Sequence, residues 1–230
     1  MVNNCINNIL SRVFQSYCPL CDTPCSGSLC TQCHNELPLN QDCCKRCALP
    51  ITDKQGNLCG QCLSSTSPIS FSQIPFLYAD PVDRFIGQFK FTSNLAFGRI
   101  LSQLWLDHHD PGLELPELLI PVPLHSHRLS ERGYNQALEL ARPMARHFDI
   151  PIDYTCCTRI LHNTPQSGLK KQQRKRGIRG AFEVKKRPNA KHISLVDDVV
   201  TTGSTVIELA RQLKKSGVER IDVWAIARTP

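Results

Sequence analysis

Eight of the thirteen cysteines form a fourfold Cys-x-x-Cys pattern: Cys18-Pro-Leu-Cys21, Cys30-Thr-Gln-Cys33, Cys44-Lys-Arg-Cys47 and Cys59-Gly-Gln-Cys62. Two residues between cysteines let a tight turn aim both thiolates at one tetrahedral ion, and two such knuckles complete its shell. Eight thiolates therefore predict two zinc ions, and a closed four-thiolate shell leaves no position for water, so the role is structural. The spacers are too short and polar to build a core, and metal binding is expected to supply the folding free energy. A redox Cys-x-x-Cys normally occurs once, beside a strand–helix unit, which disfavours that chemistry here. Pairing in chain order is the simplest assignment, and an interleaved one satisfies the same count. The remaining Cys5, Cys25, Cys43, Cys156 and Cys157 read as small core or surface residues.

A second constellation lies between Ile193 and Thr205: Ile-Ser-Leu-Val-Asp-Asp-Val-Val-Thr-Thr-Gly-Ser-Thr. An apolar strand ends in Asp197 and Asp198, and a loop of Thr201, Thr202, Gly203, Ser204 and Thr205 then opens a helix. Gly203 permits a tight turn and close approach of backbone to ligand. The N–H groups and dipole of the helix start suit a phosphate dianion, and the hydroxyls add donors. Two adjacent carboxylates suit a group rich in hydroxyls, or a hydrated cation. Phosphate plus vicinal diol describes a ribose 5-phosphate. Ordinary helix capping explains Ser or Thr near a helix start but not two acids directly before four hydroxyl residues.

Positioning these groups requires a scaffold, and the chain changes character to supply one. Eleven cysteines lie before residue 63, and Ser64-Ser65-Thr66-Ser67-Pro68 follows as a polar linker. The expected division is a domain of residues 1–67 and another of residues 68–230. Apolar residues at helical spacing predict an amphipathic helix over Met1–Tyr17. Beyond the linker, strands are expected at Phe71–Ala79, Leu118–Leu124, Thr155–Leu161, His192–Val196 and Ile221–Ala227. Helices are expected at Val82–Phe91, Leu95–His108, Tyr134–Phe148 and Ser204–Ser216. Apolar strands separated by helices indicate an α/β fold with a parallel sheet covered on both faces.

At 230 residues with 41% hydrophobic and 20% charged residues, the composition is that of a globular chain. No apolar run approaches the roughly 20 residues of a membrane-spanning helix, so no membrane insertion is expected. The first segment lacks a basic start, and Asn3, Asn4, Asn7 and Asn8 interrupt it, unlike an export signal. The expected location is therefore the cytoplasm, where reduced thiols favour metal over disulfides. Residues 1–67 carry four basic and four acidic side chains, so the net charge of +7 belongs to the rest. Most of it lies between Arg159 and Lys191, with eleven Lys/Arg against Glu183 alone. Any polyanion should meet that part first.

The segment Ile193–Thr205 resembles the phosphoribosyl-diphosphate signature of type I phosphoribosyltransferases along its whole length. Pro121-Val122-Pro123-Leu124, His125–Arg128, the run Glu131-Arg132-Gly133-Tyr134-Asn135-Gln136, Thr164-x-Gln166, Leu169, Arg174, Ala181-Phe182 and the four knuckles resemble the ComF family, which includes GntX-type proteins. The likeness covers nearly all of the chain from Cys18 to Arg228. Gly177 departs from it, standing where the family has Asn in an Arg-x-x-Asn run. The resemblance implies a type I phosphoribosyltransferase-like domain behind a small double zinc ribbon. It implies that Asp197 and Asp198 hold the ribose hydroxyls and that the Thr201–Thr205 loop holds the 5-phosphate. It also implies that the loop Leu124–Arg128 meets pyrophosphate and its magnesium ion, with Arg128 first and Arg132 second as contacts. Asn163–Gly180 then corresponds to a lid, whose Lys170, Lys171, Arg174, Lys175, Arg176 and Arg179 face either diphosphate or nucleic acid.

Three functions follow from that likeness. One is transfer of phosphoribose from phosphoribosyl diphosphate to a nucleobase or other nitrogenous acceptor, which needs charge stabilisation on the leaving group rather than a side-chain nucleophile. Another is a binding role with the DNA-uptake apparatus, in natural transformation or DNA utilisation, on single-stranded DNA. The third is a sensor of phosphoribosyl diphosphate without turnover. No base-specific hood segment is recognisable, because the zinc domain takes the N-terminal position. The transformation-linked role with a retained phosphoribosyl site therefore ranks first, and turnover stays open.

Overall fold

The computed structural model describes residues 16–51, 57–92, 94–161 and 178–230. It begins with short strands β1 (Ser16–Tyr17) and β2 (Pro24–Cys25) and short helices α1 (Thr31–Asn35) and α2 (Gly60–Leu63). Then come β3 (Phe71–Gln73), β4 (Phe76–Leu77), α3 (Val82–Phe91), α4 (Leu95–Asp107), β5 (Leu118–Pro121) and α5 (Ser126–Arg132). The chain continues through α6 (Gln136–Phe148), β6 (Cys157–Arg159), β7 (Phe182–Val184), β8 (His192–Val200), α7 (Ser204–Lys215) and β9 (Arg220–Arg228). β3, β9, β8 and β5 lie side by side in one sheet, β4 joins the far end of β9, and every pairing is parallel.

The sheet forms where it does because β8 and β9 are apolar on both faces, the pattern of a strand covered on two sides. Ile193, Leu195, Ile221, Val223 and Ala225 pack with Val206, Leu209, Ala210 and Leu213 of α7. Val196, Trp224 and Ile226 join Phe85 and Phe89 of α3, Leu101 and Trp105 of α4, and Leu140 and Met144 of α6. Trp105 and Trp224 meet with ring centroids 4.8 Å apart. A β-carbon at Gly98 would stand 2.6 Å from the Phe89 ring, so only glycine lets α3 and α4 approach this closely.

Several expected boundaries shift. The single strand over Phe71–Ala79 is two strands, because Pro75 has no N–H to give β9 and the carbonyls of Ile74 and Pro75 turn to Asn40. β8 runs on to Val200, so both acids lie within the strand rather than beyond it. The loop after β5 is only Val122–Leu124, since His125 caps α5 and Arg128 is helical. β7 was not expected; it pairs antiparallel with β6. The helix expected over Met1–Tyr17 does not include Ser16 and Tyr17, which pair with β2, and its other residues lie outside the described ones.

The cysteine-bearing segments close one edge of the sheet. The amide of Leu77 donates to Pro38, that of Asn40 to Pro75 and that of Ser72 to Lys45. These bonds occupy main-chain groups that an edge strand would otherwise leave unpaired. Leu29 and Leu37 enter the same apolar cluster as Phe76 and Trp105. Among the described residues no helix is long and apolar enough to cross a membrane.

Candidate functional site

The eight knuckle cysteines gather into two groups: Cys18, Cys21, Cys30 and Cys33, and Cys44, Cys47, Cys59 and Cys62. In each group the ligand atoms lie within 4.8 Å of one another, and chain-order pairing is the arrangement found. The two are built alike. The Cys18 carbonyl accepts from Asp22 and the Cys44 carbonyl from Ala48, and both Asp22 and Ala48 are left-handed, at φ 56° and 54°. Cys30 and Cys59 each precede a short helix with φ −71° and ψ 159°. Sulfur–sulfur distances of 3.6 Å (Cys21–Cys30) and 3.7 Å (Cys47–Cys59) match the edge, about 3.8 Å, of a tetrahedron with Zn–S bonds of about 2.3 Å. The donor sets fit structural zinc. Cys25, Cys43, Cys156 and Cys157 are free thiols outside both groups, and Cys5 lies outside the described residues.

The second constellation sits at the C-terminal edge of the sheet, where open α/β sheets place their ligands. Asp198 is buried, and its Oδ1 lies 2.9 Å from Nζ of Lys90 on α3. Asp197 Oδ1 accepts the amide of Asp198 at 2.9 Å. Burial first, and then the charge of Asp198, push the Asp197 carboxyl up to about 7, against the pull of Lys90 and Arg159. Consecutive in a strand, Asp197 and Asp198 turn to opposite faces of the sheet, and at its edge their carboxylates offer acceptors to hydroxyl donors or a cation.

Directly after β8, Gly203 turns at φ 73° and serves as the N-cap of α7. Thr202 Oγ1 lies 2.8 Å from Ser204 Oγ and accepts the Ser204 amide at 3.3 Å. The first-turn amides of α7 have no acceptor within the helix and face outward with the positive end of its dipole. Thr201, Thr202, Gly203, Ser204 and Thr205 thus line one short arc within a few residues of the acid pair.

Basic groups complete the edge. Arg159, at the end of β6, bridges to His125 in parallel fashion, which sets it beside α5. Among the described residues its buried Nε has no hydrogen-bond partner, and its guanidinium lies 5.7 Å from the Phe182 ring centre. Burial and the neighbouring charge of Arg128 both disfavour its cation, and Asp197 favours it. Arg132, by contrast, turns onto Phe91, 5.8 Å from the ring centre. Asn135 anchors the nearby loop by donating from Nδ2 to the Val122 carbonyl while capping α6. Arg159 thus feels the charges of both Arg128 and Asp197. Lys90 and Arg159 escaped the sequence reading, since one sits in an amphipathic helix and the other in a short strand with no motif around it. Thr164, Gln166, Leu169, Lys170, Lys171, Arg174, Lys175, Arg176 and Gly177 lie outside the described residues; of the expected lid, Gly180 is tied to Glu208 by its amide.

Family profiles match the chain twice, the Phosphoribosyl transferase domain over residues 135–230 and the Double zinc ribbon domain over residues 9–63. Fold, cysteine clusters and matches together define an α/β protein of phosphoribosyltransferase type with an N-terminal double zinc ribbon. Among curated proteins, the DNA utilization protein YhgH of Escherichia coli (strain K12) is 33% identical over 220 residues, covering 92% of this chain and 96% of that one. Competence protein F of Haemophilus influenzae is 38% identical over 178 residues, 74% of this chain and 78% of that one. Competence protein ComFC of Bacillus subtilis is 30% identical over 151 residues, 62% of this chain and 57% of that one. The chain belongs to the ComF family.

Proposed function

We propose that this chain binds phosphoribosyl diphosphate with magnesium and acts in DNA uptake or DNA utilisation, on single-stranded DNA. The observation that carries the first half is the adjacency of the Asp197–Asp198 pair to the left-handed Gly203 loop, with Lys90, Arg128 and Arg159 around them. Asp197 and Asp198 accept the ribose 2′- and 3′-hydroxyls. Thr201, Thr202, Gly203, Ser204 and Thr205 hold the 5-phosphate by hydroxyls and amides. Arg128 and Arg159 face the diphosphate, with Arg132 the further basic group of α5. Magnesium, when bound with the ligand, supplies charge neutralisation on the diphosphate. A diphosphate anion between Arg128 and Arg159 relieves their mutual repulsion and gives the Arg159 Nε an acceptor. The second half is supported by the relatives named for competence and DNA utilization, together with the basic excess between Arg159 and Lys191.

Calorimetry on zinc-loaded protein tests the binding, with phosphoribosyl diphosphate titrated in the presence and absence of magnesium. Magnesium-dependent binding is expected, and its absence overturns the reading. Pyrophosphate release, measured with a panel of bases and with single-stranded DNA, then separates transfer from binding without turnover.

A further inference from the structure

Arg228, the last residue of β9, is buried, and its guanidinium reaches main-chain carbonyls on two sides. Nε donates to the Cys47 carbonyl at 3.0 Å. Nη1 donates to the Val200 carbonyl at 3.0 Å and also to the carbonyls of Thr201 and Thr229. Cys47 is a ligand residue of the second cysteine cluster, whereas Val200 and Thr201 lead directly into the Gly203 loop. Around this bridge the ribbon and the loop do not fill the space between them. A cavity of about 310 Å³ separates them, bounded by Leu49 and Cys62 on one side and by Gly203, Ser204 and Ile207 on the other. Four thiolates around a zinc ion carry a net charge of −2, so a buried cation is well placed beside them. A rigid planar fork such as guanidinium can span both sets of carbonyls, which a compact ammonium cannot.

We propose that Arg228 is a positioning residue that couples occupancy of the second zinc site to the geometry of the phosphate loop. The inference rests on the phosphoribosyl-diphosphate reading of that loop. Zinc fixes the Cys44–Cys47 knuckle, the knuckle fixes the Cys47 carbonyl, and Arg228 transmits that position to Val200 and Thr201. Coupling between two binding equilibria is reciprocal, so ligand on the loop must tighten zinc at the second cluster by the same factor that zinc tightens ligand.

The test is an equilibrium competition for zinc between the full-length, zinc-loaded chain and a zinc-selective chelator. It is run with and without saturating magnesium and phosphoribosyl diphosphate. Cys21→Ser, which weakens the first cluster, identifies which step belongs to which site. Ligand should raise zinc affinity at the second cluster about fivefold or more and leave the first unchanged. Arg228→Met, similar in length and without donors, should abolish that gain and weaken calorimetric ligand affinity by a similar factor. A ligand that binds wild type yet leaves second-cluster zinc affinity unchanged overturns the coupling alone, as does full retention of the gain in Arg228→Met. Should that variant not fold, Arg228→Lys, which keeps the charge but cannot span both sets of carbonyls, takes its place, and full retention of the gain in it overturns the role of Arg228. No ligand binding to wild type removes the loop reading and the coupling with it.

Discussion

Lys90 Nζ stands 2.9 Å from Asp198 Oδ1, and the two side chains are only 20% and 12% exposed. The helix α3 thus delivers a cation to the acid pair from a part of the chain more than a hundred residues away. Asp198 is paired, so the unbalanced charge falls on Asp197. The site holds one compensated carboxylate and one poised between its two protonation states.

Removing the cation should expose that debt. Lys90→Met leaves Asp198 buried without its partner, and a lost charged hydrogen bond is worth about 1.5–3 kcal/mol. For a chain of this size the melting temperature should fall by about 3–10 °C. Adding Asp198→Asn should restore most of the loss, giving a coupling well above the scatter of independent sites in a double-mutant cycle. Additive losses would mean that the ion pair contributes nothing measurable.

Asp197 should make both stability and ligand binding depend on pH. Its folded value near 7 lies above the ordinary 3.8, so the folded chain holds the proton more tightly than the unfolded one. Stability therefore rises as pH falls from about 7 towards 4. Asp197→Asn keeps the acceptor for the Asp198 amide and lacks the charge. In ligand-free protein it should be more stable than wild type by on the order of 1–2 kcal/mol at pH 8, after allowance for solvent screening. The advantage should shrink through pH 6 and vanish near pH 4. Ligand binding needs the ionised acid, so affinity for phosphoribosyl diphosphate should drop about tenfold between pH 8 and pH 6. Melting curves and calorimetry at those pH values check both trends.

The two cysteine clusters and the Gly203 loop were legible because their residues are local in sequence. Cys18 and Cys21 have two residues between them in any fold, and Asp197 to Thr205 form one strand–turn–helix. Lys90 and Arg159 were not legible, because only tertiary packing brings α3 and β6 to the end of β8. The sheet was readable from the apolar runs of β8 and β9. Its break at Pro75 was not, since the acceptors there are taken by Asn40 from the cysteine-bearing segment. The short helix α5 was missed because Ser126–Arg132 has no apolar stripe and buries no side chain.

Zinc content follows from the two clusters. Elemental analysis of untagged protein should find close to two zinc ions per chain. Stripping them should unfold the ribbons and uncover the β3–β4 edge, which Pro38, Asn40 and Lys45 occupy. Metal-free protein should therefore associate through that edge, detectable by light scattering. A value near one ion would assign a single working cluster.

Arg159 should matter to ligand more than to the fold. Its Nε has no hydrogen-bond partner among the described residues, and burial and Arg128 both oppose its charge. Arg159→Gln should leave the melting temperature of ligand-free protein nearly unchanged, within the usual range for sites without a satisfied buried pair. Affinity for the diphosphate ligand should fall about tenfold or more, the worth of a charge-assisted hydrogen bond. An equal loss for ribose 5-phosphate would place Arg159 away from the diphosphate.

Single-stranded DNA gives the last prediction. Eleven basic residues against one acid between Arg159 and Lys191 make a local field able to attract phosphates, whereas residues 1–67 are balanced. Binding by the full chain should weaken with salt, with a logarithmic slope of about −0.7 for each phosphate neutralised. Lys170, Lys171, Arg174, Lys175 and Arg176 lie outside the described residues, and their charge alone motivates the variant in which all five become Gln. That variant should flatten the slope and weaken binding to every sequence alike, because phosphate contacts carry no base information. Phe182 is the main aromatic of the stretch, and it already lies against Arg159, so stacking should add little and affinity should be modest. If the same basic residues serve the diphosphate, saturating phosphoribosyl diphosphate should compete with DNA in fluorescence anisotropy. Wild-type affinity and salt slope in the Gln variant would remove this stretch from DNA binding.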